Sequence, residues 1–370
     1  MKVLHYKSNF LNYSETFIYR IIANHKRFNP VGMCVDKRHF TNKIPVYQKP
    51  VEGFSGLVNT IYFHLNGCLP FYNETIQKVK PDIIHAHFGF DGYRMIKPAL
   101  KNNIPLITSF YGSDVSRLPQ EFDWKRRYKK LAKNGNAFIA ISDYMKQQLI
   151  QLGFPENKIV VIRFGLDLSK FSFQPHYSTP RNIMMVGRMV EKKAFGDAIK
   201  AINQLRNENF NVQLDLYGDG ELKEALKKMA ADLNLNRLIT FHGRLTPEEI
   251  RAEYKKHSML LVPSKTAADG DQEGLPNVIL EAMACGTPVI AANHAAAGEV
   301  LEHKQNGLLL EKGNYTALAN AIKSIKNEEI NLQNIRHKAR KKIEQNYEIN
   351  DKIMSLEKLY KRTIEDFSGQ

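Results

Sequence analysis

EGLPNVILEAMACGTPVIAAN, residues 273–293, carries a helix, a strand and the punctuation between them. Pro276 suits the first turn of a helix, where its missing N–H costs nothing. Gly286 suits the C′ position, and Pro288 prevents the helix from continuing. The spacing therefore predicts a helix over Pro276–Cys285, followed at once by the apolar run PVIAAN (288–293). Another apolar run, MLLVPS (259–264), stands just upstream. Strand, loop, helix, tight turn and strand in that order make one repeat of a parallel sheet covered by helices.

Working outward, the same alternation fills the chain. In the second half NIMMVG (182–187), VQLDLYG (212–218) and LITFHG (238–243) are further strand candidates. In the first half they are KVLHY (2–6), DIIHAHF (82–88), PLITSF (105–110), AFIAIS (137–142) and KIVVIRF (158–164). Two such series imply an α/β protein with two Rossmann-like, doubly wound parallel-sheet domains. The break is expected in SKFSFQPHYSTPRN (169–182), which holds two prolines and leads directly into a strand. The domains are accordingly drawn as 1–176 and 177–345. A last helical pattern runs from about Asn331 to Phe367. Ligands of such sheets bind beyond the carboxyl ends of the strands, so the residues that follow the strands are the ones to inspect.

With 370 residues, 43% hydrophobic and 25% charged, the chain reads as globular. The net charge of +15 is uneven: residues 1–176 hold 25 Lys+Arg against 12 Asp+Glu (+13), the remainder 28 against 26 (+2). A basic first half fits anionic lipid, an acidic glycan or nucleic acid. Three scattered cysteines, Cys34, Cys68 and Cys285, support neither a disulfide framework nor a zinc site and fit a reducing, cytoplasmic setting. The N-terminus lacks the apolar core of a secretory signal, and no run approaches the ~20 apolar residues of a membrane span.

Glu273 lies in the loop before the helix and Glu281 inside it. The helix start offers free N–H groups to a diphosphate or to sugar hydroxyls, and Gly274 allows close backbone approach. Glu273 can accept from sugar hydroxyls and Glu281 from the vicinal hydroxyls of a ribose; the alternative is a helix-mouth charge and a solvated helix residue. After NIMMVG, Gly187 permits a turn, and Arg188 and Lys193 can neutralise a diphosphate or simply form a solvated basic loop. Gly218 ends another strand and is placed beside the nucleotide. Thr246, Pro247 and Glu249 form a capping box. Ser14 reads as an N-cap or as a ligand contact. His85 and His87 alternate along one strand, where a histidine is usually structural. Trp124, Tyr128 and six basic residues of WKRRYKKLAK (124–133) make either a solvated face or an interfacial helix.

The pattern E-x7-E, with GLP after Glu273 and EAMACGTP starting at Glu281, resembles the signature of retaining glycosyltransferase family 4, which has the GT-B architecture of two domains facing across a cleft. GRMVEKKAF (187–195) is similar to a second family motif, except that Ala194 stands where glycine is usual. SFYGSD (109–114) resembles a third, with Tyr111 in place of the usual histidine. The resemblance implies catalytic roles for Glu273, Arg188 and Lys193. It implies donor contacts for Glu281, Gly187, Gly274, Leu275, Pro276, Asn277, Gly218 and the base-reading loop His242, Gly243 and Arg244. On the acceptor side it points to Ser14, Glu15, His87, Tyr111, Gly112 and Asp114, and it implies that residues 346–370 return to the first domain. SETFI (14–18) and TAADGDQEGLP (266–276) resemble the subgroup that builds exopolysaccharides such as colanic acid and amylovoran. The expected reaction moves a sugar from UDP- or GDP-sugar to a glycan, lipid-linked, in exopolysaccharide or lipopolysaccharide synthesis. No metal or other cofactor is implied. The basic domain is expected to rest peripherally on the inner face of the cytoplasmic membrane. The competing classes are a basic nucleic-acid-binding protein, which charge alone supports, and a nicotinamide dehydrogenase, whose G-x-G-x-x-G is missing from KSNFLNYSE (7–15).

Overall fold

The structure, a computed structural model, describes residues 1–10, 15–37, 44–49, 68–174 and 182–369. The chain divides into two compact units, Met1–Gly165 with Ile349–Gln370, and Leu166–Glu348. These divisions fall at 165/166 and 348/349, not at the 176/177 and 345/346 read from the sequence. The second unit claims Leu166 because its N–H donates to the Tyr347 carbonyl and it bridges to Glu348.

In the first unit the strands are β1 (Lys2–Tyr6), β2 (Asn9–Phe10), β3 (Asn29–Cys34), β4 (Asp36–Lys37), β5 (Val46–Gln48), β6 (Ile83–His87), β7 (Leu106–Ser109), β8 (Ala137–Ala140) and β9 (Ile159–Val161). Seven of them form one sheet in the order β5-β3-β1-β6-β7-β8-β9, every pair parallel, and β2 pairs with β4 beside it. Val3, Ile83, Ile107 and Ile139 from successive strands are buried with Leu356, Leu359 and Tyr360 of the Ile349–Ser368 helix. Each such apolar side chain withdrawn from water stabilises the unit by about 1.5–3 kcal/mol. That helix is therefore part of the first unit's core.

The second unit holds β10 (Ile183–Val186), β11 (Leu214–Tyr217), β12 (Ile239–Gly243), β13 (Met259–Val262), β14 (Val289–Ala292) and β15 (Leu308–Leu310). Their order is β12-β11-β10-β13-β14-β15, again all parallel. Ile183, Met185, Leu214, Leu216, Met259 and Leu261 pack against Phe195, Ile199 and Ile202 of the Phe195–Asn207 helix. In both sheets the strand order reverses once, between β1 and β6 and between β10 and β13. Those reversals are where open α/β sheets bind ligands.

The helical pattern expected from Asn331 to Phe367 is two helices, Leu332–Asn346 and Ile349–Ser368. The break lies where Tyr347 and Glu348 pair with Leu166. Among the described residues no helix is long and apolar enough to cross a membrane.

Candidate active site

The loops after β10 and β13 meet at the reversal in the second sheet. Gly187 follows β10 and lies beneath Lys193: a Cβ built on Gly187 would fall 3.4 Å from Lys193 Cε. Gly218 follows β11 at φ +134°, and a Cβ there would sit 1.9 Å from the Gly187 carbonyl oxygen. That backbone-on-backbone contact is reason enough for glycine at 218. Arg188 is exposed, whereas Lys193 is largely covered and ends 3.1 Å from Glu273 Oε1. Lys192, the residue before Lys193, is buried. Its Nζ reaches Asp271 at 3.0 Å and the Gln272 carbonyl at 3.2 Å, and stands 3.9 Å from Glu273. Glu191 accepts from the Ala268 N–H at 3.0 Å. The 191–193 turn thus clamps the loop that delivers Glu273.

Glu273 occupies that loop, just ahead of the helix Asn277–Cys285. Pro276 is the N-cap rather than the first helical residue, because its ψ of 111° is extended; Gly286 closes the helix in the left-handed region at φ +81°. Burial works against the charge of Glu273, but Lys193, Lys192 and Arg188 outweigh it and hold the carboxyl below its ordinary range. An ionised carboxylate, three cations and the N-terminus of a nine-residue helix converge here. Gly274, Leu275 and Pro276 are buried, and Asn277 opens the helix. Glu281 lies one turn further on and accepts from the Tyr254 hydroxyl at 3.2 Å.

The loop after β12 is anchored by a buried carboxylate. Asp215 accepts from His242 at 2.6 Å, from His257 at 3.1 Å and from Asn182 at 2.9 Å. Burial opposes its charge, yet these partners draw its pKa down to about 2. The His242 ring lies on Tyr217, with centroids 4.6 Å apart and planes at 15°. The Gly243 carbonyl accepts from the Gly218 N–H, and Arg244 projects into solvent 3.6 Å from Asp219. Thr246 and Glu249 form the reciprocal capping box.

Two further residues escaped the sequence reading. Ser264 follows β13 and His294 follows β14; both are buried, and neither Ser264 Oγ nor His294 Nε2 has a hydrogen-bond partner among the described residues. Asn277 Oδ1 is a third such atom. Their signal was position alone, just past a strand end, and nothing in their local pattern marks them.

At the reversal in the first sheet, Glu15 caps the Thr16–Ala23 helix with its backbone and pairs with the buried Lys7 at 3.2 Å. Ser14 lies outside the described residues. His87 Nδ1 is 2.7 Å from the Tyr111 hydroxyl. Asp114 is fully engaged: Oδ1 accepts from the N–H groups of Tyr111 (3.0 Å) and Gly112 (2.9 Å), Oδ2 from that of Gly89 (3.0 Å). It therefore shapes the 110–114 loop, and burial raises its pKa.

The profile described as "Glycosyl transferases group 1" matches residues 169–342, and "Glycosyltransferase Family 4" matches residues 40–170. The putative colanic acid biosynthesis glycosyltransferase WcaL of Escherichia coli is 30% identical over 285 residues, covering 75% of this chain and 70% of its own length. The chain belongs to glycosyltransferase family 4. The amylovoran biosynthesis glycosyltransferase AmsK of Erwinia amylovora is 33% identical over 273 residues, 71% of this chain and 66% of that protein. Among solved structures, Anabaena Alr3699/HepE in complex with UDP superposes with a TM-score of 0.80 at 20% identity, over 98% of this chain and all of that one. This is the GT-B fold.

The family's departure at Ala194 has a visible geometry. Ala194 is the left-handed cap (φ 56°, ψ 39°) between the 191–193 turn and the Phe195–Asn207 helix. That region costs a residue with a Cβ about 1–2 kcal/mol, and glycine returns part of the gain as unfolded-state entropy. Ala194→Gly is expected to raise the unfolding free energy by up to about 1 kcal/mol. Urea denaturation measures it, and a lowered midpoint would show that the buried methyl contributes more by packing.

Proposed function

We propose that this glycosyltransferase is a retaining enzyme. It moves a sugar from UDP- or GDP-sugar to a lipid-linked glycan, in bacterial exopolysaccharide or lipopolysaccharide assembly, without a metal. The observation that carries the reading is the Lys193–Glu273 pair at the helix mouth. It sets a cation for the leaving diphosphate and a carboxylate for the sugar hydroxyls within one ion pair. Arg188 adds a second, exposed cation. Glu281, one helical turn inward, takes the ribose, and the loop of His242, Gly243 and Arg244 reads the base edge. Further support comes from the likeness to WcaL and AmsK, glycosyltransferases named for colanic acid and amylovoran biosynthesis, and from the UDP bound to Alr3699/HepE.

Glu281→Ala is expected to weaken binding of the cognate nucleoside diphosphate by about 1–3 kcal/mol, the worth of hydrogen bonds to a charged group. Isothermal titration with UDP and with GDP reads both the loss and the base preference. Unchanged affinity in the folded variant would remove the ribose assignment.

The membrane part of the proposal rests on the Trp124–Asn134 helix. Trp124 is held between Tyr93 and Tyr128 and covered by the Arg127 guanidinium, and Arg126 and Arg127 both pair with Asp123. The aromatic that faces solvent is Phe122, 99% exposed, beside the exposed Lys125, Lys129 and Lys130. An exposed phenylalanine just ahead of a helix that carries exposed lysines fits an anionic bilayer surface, where each lysine contributes about 1 kcal/mol. Replacing Lys125, Lys129 and Lys130 by Gln is expected to reduce sedimentation with phosphatidylglycerol-containing liposomes at low salt. Wild-type protein that ignores such liposomes would end this part of the proposal. Three buried free cysteines suit the reducing, cytoplasmic side.

A further inference from the structure

The first unit buries a cluster of imidazoles, of which only His87 entered the acceptor-side reading. His5 on β1 and His85 on β6 are register partners, and His87 lies two residues on. His5, His85 and His87 are fully buried, and the side chain of His25 is equally covered. The cluster is joined at both ends to the Ile349–Ser368 helix. Glu357 Oε1 lies 3.3 Å from His25 Nδ1, and His25 Nε2 lies 3.0 Å from His5 Nε2. His5 Nδ1 is 3.0 Å from His87 Nε2, and His87 Nδ1 is 2.7 Å from the Tyr111 hydroxyl. Tyr111 hydrogen-bonds Ser109. Ser109 Oγ is 2.7 Å from His85 Nε2, and His85 Nδ1 is 2.6 Å from the Tyr360 hydroxyl, back on the same helix.

One carboxylate decides the direction of every bond in this circuit. Burial opposes the charge on Glu357, but the N–H groups of Arg27 (2.9 Å) and Lys26 (2.7 Å), together with His25, hold it ionised. An ionised carboxylate only accepts, so His25 donates from Nδ1. Neutral His25 must then accept at Nε2, His5 donates from Nε2 and accepts at Nδ1, and His87 donates from Nε2. The Tyr111 hydroxyl is left to donate to His87 Nδ1 and accepts from Ser109, which accepts from His85, which accepts from Tyr360. All donors run the same way, the arrangement in which hydrogen bonds strengthen one another.

We propose that Glu357 is a positioning residue for the acceptor side: through His25, His5 and His87 it commits the Tyr111 hydroxyl inward as a donor. It thereby holds the Tyr111 ring and the 110–114 loop in the setting that receives the glycan. The effect on turnover rests on the glycosyltransferase reading above; the direction of the circuit does not. The nitrogens of His5, His85 and His87 lie within 4.8 Å of one another, a spacing that also suits a metal ion. Every ring nitrogen of the three is already engaged, however, so a cation would have to break the circuit.

Long-range proton–nitrogen NMR of the full chain with 15N-histidine tests the direction without any assay. His25 is expected as the Nδ1–H tautomer, and His5, His85 and His87 as Nε2–H. Mixed tautomers in the wild type, or stoichiometric metal retained after dialysis against zinc, would overturn the proposal. In steady-state kinetics Glu357→Leu is expected to raise the acceptor KM at least fivefold with the donor KM unchanged. Glu357→Gln keeps an accepting oxygen and is expected to restore it, and in a Tyr111→Phe background Glu357→Leu is expected to add nothing. Equal changes in both KM values, or additive losses in the double variant, would reduce Glu357 to a fold contact. Correct tautomers without any sugar transfer would instead count against the proposed function alone.

Discussion

Arg188→Ala and Lys193→Ala are each expected to lower kcat by roughly 100-fold or more, the scale for removing one charge-stabilising donor. KM for the donor should change far less. As the bond from the anomeric carbon to the diphosphate breaks, negative charge accumulates on the departing phosphate. A cation already in place attracts that growing charge more than it attracts the ground state, and only such differential attraction accelerates the step. Arg188 is exposed after β10, and Lys193 is held over Gly187. Lys193 has a second part to play, since it is the nearest cation to Glu273, at 3.1 Å. Without it Glu273 keeps Lys192 at 3.9 Å, and burial pushes its carboxyl toward the neutral form. The Lys193 variant should therefore lose more than the Arg188 variant. Steady-state kinetics in EDTA on both variants, with the anomeric configuration of the product read by NMR, checks this. A large KM change with kcat intact would make the two residues ground-state anchors, an inverted product would remove the retaining assignment, and turnover that stops in EDTA would remove the metal-free one.

Much of this site is local, and that is why it was legible in the sequence. Pro276, Gly286 and Pro288 punctuate one helix, so the places of Glu273 and Glu281 followed from their neighbours. The parallel sheets were legible for the same reason wherever a strand is a continuous apolar run, as in IMMV of β10 or MLLV of β13. Strand β3 was not, because NPVGMC carries a proline and a glycine that read as a turn. Gly32 is in the strand because the Phe10 ring and Val46 leave no room for more: a Cβ there would meet them at 3.0 and 3.1 Å. β5 and β15 are three-residue edge strands with too little pattern to find. Lys192 takes its meaning from Asp271, and His25 from Glu357, partners that no local window contains. The same distance hid the function of His5, whose neighbours in sequence read only as a first strand.

Acidification from pH 7 to pH 5 is expected to destabilise the first unit by several kcal/mol, because its imidazoles are buried uncharged. Burial, reinforced by the neighbouring imidazoles, pushes His5 and His87 well below the ordinary histidine value and His85 down to about 3. His25 is lowered by burial as well, although Glu357 pulls the other way. Below about pH 6.5 the unfolded chain takes up a proton on each of these rings while the folded chain does not. The unfolded state then binds more protons, so stability rises with pH across the window from the folded values up to about 6.5. It is lost as the pH falls through that window, by at most about 1.4 kcal/mol per pH unit for each ring. Asp91 and Asp114 act in the opposite sense. Burial raises their pKa values, so they favour the folded state as they protonate, over a window that extends upward from the ordinary carboxyl value. Four rings against two carboxyls leave the expected loss, to be read against a typical stability of 5–15 kcal/mol. Trp124, the single tryptophan of the chain, lies in this unit and reports on it selectively. Urea unfolding followed by its fluorescence should show a midpoint that drops steeply between pH 7 and pH 5. A flat profile would mean that the four imidazoles reach water, or carry their protons, in the folded protein.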